Sequence, residues 1–184
     1  MTTKRFNMAE EHELLITRQL GKKMKDQLVS KFTDNSQIEI IYLDFSNIIV
    51  LDFSWADEFV AKLAVELNAN LHGEKALVVA NCTDDQFENI NAALLQRALT
   101  LTAEQEGKSF FIGDLKEPLL ETLTWVGENS QVTARDLANH FGLAINTASN
   151  RLSELAKRRL LFRGETIMES GGKQFSYFPI RTSN

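Results

Sequence analysis

The sequence predicts a mixed α/β unit followed by a smaller unit of three helices and a β-hairpin. Three observations carry that prediction. Through about residue 114, apolar runs rich in β-branched residues alternate with stretches of helical period. Beyond Asp114 three helical patterns come in succession, and only then two strand-like runs. Charge divides at the same place. Residues 1–114 carry 11 Lys/Arg against 18 Asp/Glu, or −7, and residues 115–184 carry 9 against 7, or +2.

Taken in order, "ELLIT" (13–17) reads as a short strand. "RQLGKKMKDQLVSKF" (18–32) spaces Leu20, Met24, Leu28 and Phe32 four residues apart, a helical stripe whose lysines form a solvated face. "TDNSQ" is a turn cluster, and "IEIIYLDF" (38–45) is a strand. From Trp55 the period becomes helical again, with Phe59, Leu63 and Leu67 in one row. "KALVVAN" (75–81) is a continuous apolar strand of the kind buried in a sheet. "DDQFENINAALLQRA" (84–98) begins with acids, which the positive end of a helix dipole favours. "LTLTAEQEGKSFFIGD" reads as two strands turning at Glu106-Gly107, and the order β-α-β-α-β-α-β-β implies a mixed sheet covered by helices.

The second unit opens with "LKEPLLETLTWVGEN" (115–129), a helix with Pro118 in its first turn, where a missing N–H costs little. "TARDLANHF" (133–141) and "AINTASNRLSELAKRR" (144–159) are two further helices separated by Gly142-Leu143. "LLFRGETIM" and "KQFSYFPIR" are strands around "ESGGK". The predicted domains are therefore 1–114 and 115–184.

Composition narrows the function classes. A net charge of −5 argues against a general nucleic-acid coat. The single Cys82 follows an apolar run and reads as a buried strand-end thiol, not a nucleophile. One cysteine and no signal-peptide pattern predict a cytoplasmic protein. No run approaches the ~18 apolar residues of a membrane span, so no membrane association is expected. His12, His72 and His140 lie far apart, and neither a metal site nor a cofactor is expected. Asp44, Asp52, Asp57 and Glu58 are candidate acids, but no His, Cys or Lys partners them and no glycine-rich phosphate loop occurs. The chain is not expected to be an enzyme.

In the second unit, Ala138 is small where two helices cross closely, and Gly142 supplies the backbone freedom a tight turn needs. Ala148, Leu152 and Leu155 form the buried stripe of the following helix. That leaves Asn146, Thr147, Ser149, Asn150 and Arg151 on its exposed, N-terminal side. Such side chains reach base edges or phosphates when a helix enters the major groove. Lys157, Arg158, Arg159 and Arg163 make a candidate phosphate-contacting flank, and Lys173 beside Gly171-Gly172 suits a hairpin tip that meets the backbone.

"VTARDLANHFGLAINTASNRLSELAKRRLLFRGE" resembles the winged helix-turn-helix domains of bacterial transcription regulators, from Leu137-Ala138 through Gly142-Leu143 to Leu160-Leu161. The resemblance extends over about residues 115–181 and implies double-stranded DNA as a partner. Two positions depart from the family pattern. Ile145 stands where a polar residue is usual. Arg159 stands where Gly usually ends the recognition helix, so a different helix end is expected.

"TRQLGKKMKDQL" followed by "IIYLDFSNIIVLDFSWADEF" resembles the STAS-like domains of prokaryotes, relatives of the anti-sigma-factor antagonists, over about residues 12–113. The resemblance implies a small β-sheet with helices used for protein–protein switching. The expected partners are a regulatory protein such as a kinase or anti-sigma-like factor, or a second copy of the chain. In the antagonists, the serine directly after the second Asp is phosphorylated; here that position is Phe53, and Ser54 follows it. Ser54 is expected to cap the helix from Trp55, with Asp57 three residues on in the manner of a shortened capping box. A regulatory phosphosite at Ser54 is the weaker candidate, because Asp52, Asp57 and Glu58 would repel a phosphate. The function expected is a DNA-binding transcriptional regulator that takes its signal through the first unit. The alternative is an adaptor in a partner-switching pathway that does not bind DNA.

Overall fold

The computed structural model describes residues 1–32, 38–167 and 173–180. The predicted turns in "TDNSQ" and "ESGGK", apart from Lys173, lie outside the described residues. The chain forms two compact units, residues 1–114 and 115–183.

The first unit is built on a five-stranded sheet. Its strands are β1 (Thr2–Asn7), β3 (Glu39–Asp44), β5 (Lys75–Ala80), β6 (Thr100–Gln105) and β7 (Lys108–Gly113), side by side in that order. The first four are parallel; β7 returns antiparallel to β6. The hairpin turns at Glu106 and Gly107, both at positive φ, a two-residue turn whose twist matches the strands. Strand order follows chain order, so successive crossovers step the same way and the helices gather on one face. Those helices are α1 (Arg18–Ser30), α2 (Phe53–Ala56), α3 (Lys62–Asn68) and α4 (Asp84–Gln96), with a π-helical turn, Asp57–Ala61, joining α2 to α3. Met24, Leu28, Phe59, Leu63, Ile90 and Leu94 from the helices share one core with Ile41, Leu43, Leu77, Val79, Leu101 and Ala103. The strand members are alternate residues, hence one sheet face.

The first strand is a correction. Residues 13–17 contribute only β2 (Leu14–Leu15), which pairs parallel with β4 (Val50–Leu51) in a separate ribbon. The sheet edge is formed by β1, whose sequence Thr-Thr-Lys-Arg-Phe-Asn has no apolar run. An edge strand gains its place from one ladder of backbone bonds, and β1 is mostly exposed or half-buried.

The second unit is mixed as well. It contains α5 (Glu117–Gly127), α6 (Ala134–Phe141) and α7 (Ile145–Lys157), with a three-stranded antiparallel sheet in the order β8 (Val132–Thr133), β10 (Lys173–Pro179), β9 (Leu161–Ile167). Pro118 falls in the first turn of α5. Thr133 caps α6 and forms a reciprocal capping box with Asp136. Leu123, Val126, Leu137, Ala148, Leu152, Leu155 and Tyr177 are among the buried residues. Among the described residues no helix is long and apolar enough to cross a membrane.

Candidate nucleic-acid interface

The turn between α6 and α7 follows from two residues. Gly142 takes the left-handed conformation (φ 65°) that ends α6, and the N–H of Leu143 returns to the carbonyl of Ala138 at 2.9 Å. Ala138 and Ala148 are both buried, so small side chains stand where the helices cross. With Ala148, Leu152 and Leu155 inside, the N-terminal half of α7 turns Asn146, Thr147 and Asn150 fully outward. Asn146, Asn150 and exposed Lys157 lie within about 40° of one another around the helix axis. Ala144, the residue before α7, has no side-chain oxygen, so no side chain caps the first-turn N–H groups.

The other candidate residues differ in situation. Ser149 is half-buried. Arg151 turns back to α5, with Nη1 3.3 Å from the Pro118 carbonyl and 3.5 Å from Thr122 Oγ1. Arg158 donates from Nε to Glu154 Oε1 at 2.8 Å. Arg163 is exposed and lies over the Phe175 ring at 4.7 Å. Lys173 opens β10 and pairs with Glu165 at 2.7 Å; both are exposed, so the pair adds little to stability. Gly171 and Gly172 lie outside the described residues. Ile145 is 55 % exposed.

Arg159 overturns the expectation of a different helix end. It takes φ 57°, its N–H reaches Ala156 O at 3.0 Å, and the Leu160 N–H reaches Leu155 O at 3.0 Å. That bond pair is the usual left-handed helix stop, here with arginine in the glycine position. The buried Leu160 that follows holds the conformation, at a cost a glycine would not incur.

In the first unit, Ser54 is not the cap. Asp52 is: its Oδ1 accepts the Trp55 N–H at 2.6 Å, and its Oδ2 accepts the Thr17 N–H at 3.1 Å. The helix starts two residues earlier than the period suggested, which seats Trp55 fully in the core, stacked on Phe59 at 4.6 Å. Ser54 is then the second helical residue and half-exposed. Asp57 makes no capping box either. It is buried in the π-helical turn, where Arg97 Nε donates at 2.6 Å and Arg18 also bonds to it. The Arg97 bond, reinforced by Arg18 against the opposing effect of burial, holds Asp57 below the usual carboxylate range. The neighbouring Glu58 accepts both bonds from Lys62 at 2.7 Å.

Asp44, at the carboxyl end of β3, is driven to about 2. Burial opposes this, but hydrogen bonds from Ser46, Asn81 and Arg5 prevail. Cys82 is buried, and burial with the nearby Asp44 charge pushes its thiol up to about 12, far from a nucleophile's range. Among the described residues no group of His, Cys, Asp and Glu is disposed to hold a metal. The Asp57–Arg18–Arg97 cluster is not legible in the sequence, because the two arginines lie about 40 residues on either side of Asp57 and meet it only in the fold. Arg135 is exposed in the first turn of α6, just past the Thr133 cap.

No family model matches the chain, and no curated protein does. Among solved structures it is similar to a chain described as a possible transcriptional regulator from Methanosarcina mazei Go1. The identity is 14 %, over 44 % of this chain and 74 % of that one, with a TM-score of 0.34. A likeness of that size carries no argument about this chain's fold or activity.

Proposed function

We propose that residues 115–184 form a winged helix-turn-helix that binds double-stranded DNA, with α7 as the recognition helix and the β9–β10 hairpin as the wing. The supporting observation is the left-handed turn at Gly142, which leaves Asn146, Thr147 and Asn150 exposed on a helix whose other side is packed. Asparagine pairs in bidentate fashion with adenine in the major groove, and Lys157 on the same face reaches phosphate. Residues 1–114, read as a STAS-like domain, relay a signal through protein contacts, and the protein acts as a cytoplasmic transcriptional regulator without catalytic activity. Titration of the full chain against pooled genomic duplex fragments at low salt tests this reading. Binding should weaken steeply as salt rises and should fall in Asn150→Asp and Lys157→Glu. Affinity unchanged by both substitutions would remove the DNA role.

A second reading has its own support. Arg158 and Lys173 are paired with Glu154 and Glu165, and Ile145 is exposed at the start of α7, which suits a protein-binding role on a partner-switching adaptor. On that reading Ile145→Asp abolishes partner binding while Asn150→Asp and Lys157→Glu are silent.

A further inference from the structure

The β2–β4 ribbon exposes aliphatic side chains that the DNA-binding role does not use. Leu14 and Val50 stand opposite each other in the ribbon; Ile16 is two residues beyond Leu14, and Ile49 directly precedes Val50. These four side chains are 39–66 % exposed, while Leu15 and Leu51, pointing the other way, are buried. Clustered exposed aliphatic side chains are uncommon on a protein surface and mark interaction sites; this ribbon turns out such a cluster. The patch is also held in shape. The Ile49 N–H donates to Glu13 O at 2.8 Å and the Asp52 N–H to Leu15 O at 2.9 Å. On the α4 side, Gln86 Nε2 donates to Ile48 O at 2.8 Å and Asn89 Nδ2 to Leu51 O at 3.1 Å.

The border of the patch is acidic. Exposed Glu13 directly precedes β2, and its carbonyl accepts the Ile49 N–H. Exposed Asp85 lies one helical turn before Asn89, on the side of α4 that meets β4. The nearest cation along the chain, Arg18, is engaged with Asp57 and Glu58. We propose that this surface docks a partner protein through a segment bearing an aliphatic row flanked by lysine or arginine. A second copy of the chain would set the same acids against one another, and like charges across an interface oppose association. The assignment rests on residues 13–89 alone and stands whether or not residues 115–184 bind DNA.

The test is site-specific photo-crosslinking of the full chain in its native cells. A benzophenone side chain replaces Ile49 or, as a control, Leu71, which is 67 % exposed away from the ribbon. Crosslinked peptides are sequenced by mass spectrometry, and the purified partner is then titrated against the wild type, Ile49→Asp and Glu13→Lys. The proposal predicts a crosslink from position 49, absent at 71, to a segment combining aliphatic residues with at least two lysines or arginines. Affinity for that partner should fall at least about tenfold in Ile49→Asp and also fall in Glu13→Lys, with thermal midpoints unchanged. A crosslink to a second copy of this chain would overturn the proposal, as would one to a neutral or acidic segment. No signal above the position-71 control, or affinity unchanged by both substitutions, would overturn it equally.

Discussion

The two units treat charge in opposite ways. The first buries Glu39, Asp57, Glu58 and Lys75; among the described residues the second buries no charged side chain, only Thr122 and Ser176 of the polar set. In the first unit ion pairs therefore hold elements together: Arg97, just past the end of α4, and Arg18 on α1 meet at Asp57 in the π-helical turn. In the second unit the described buried residues carry no charge, and the charged groups stay at or near the surface, several in local pairs such as Arg158–Glu154 and Lys173–Glu165. A count of charges by sequence treats the two populations alike. Burial separates the charges that hold the first unit together from those that face solvent.

The contrast breaks most visibly at Arg97. Arg97→Ala leaves buried Asp57 with Arg18 alone and should destabilise the protein by about 1.5–2 kcal/mol, measured by urea unfolding. The corresponding removal of an exposed cation from the second unit, Lys157→Ala, should change stability by no more than about 0.5 kcal/mol. A small effect at Arg97 would erase the distinction.

Acid titration sharpens it further. Asp44 is held at about 2 in the folded chain, against ~3.9 for a free aspartate. A lowered folded-state value stabilises above the unfolded value and loses that contribution as pH falls. The wild type should therefore lose stability between about pH 4 and pH 2, with Asp57 contributing in the same direction. Asp44→Asn should be less stable at pH 7 and show a flatter decline over that window in thermal melts.

The helix ends come next. Asp52→Ala removes the bonds to both Trp55 and Thr17 and should cost about 1 kcal/mol, whereas Ser54→Ala should stay within about 0.5 kcal/mol. Equal costs would restore the serine as cap. Arg159→Gly should stabilise by about 0.5–1 kcal/mol, since it relieves a left-handed arginine while adding some chain entropy to the unfolded state.

Much of this architecture is legible in the sequence, for identifiable reasons. "KALVVAN" is apolar enough to announce a buried strand, and Gly142 between two amphipathic stretches announces a tight turn. What escaped was set by long-range contacts. β1 owes its existence to pairing with β3, not to its own side chains. Asp52 outcompetes Ser54 as cap because beginning the helix there seats Trp55 in the core and ties down Thr17. Arg159 adopts the conformation of a glycine because Leu160 must turn inward. The candidate interface follows in the sequence from the buried stripe of α7 and the basic residues beyond it, yet Arg151 is drawn to Pro118 and Thr122, partners that only the packing of α5 against α7 supplies.

The central claim is that the exposed face of α7 binds duplex DNA. Its most direct measurement is the salt dependence of duplex affinity for the full-length wild type and Lys157→Ala, by fluorescence anisotropy. The account predicts a linear fall of log affinity with log salt, and a slope about one unit shallower in the variant. Identical slopes, or no salt-dependent binding at all, would contradict it.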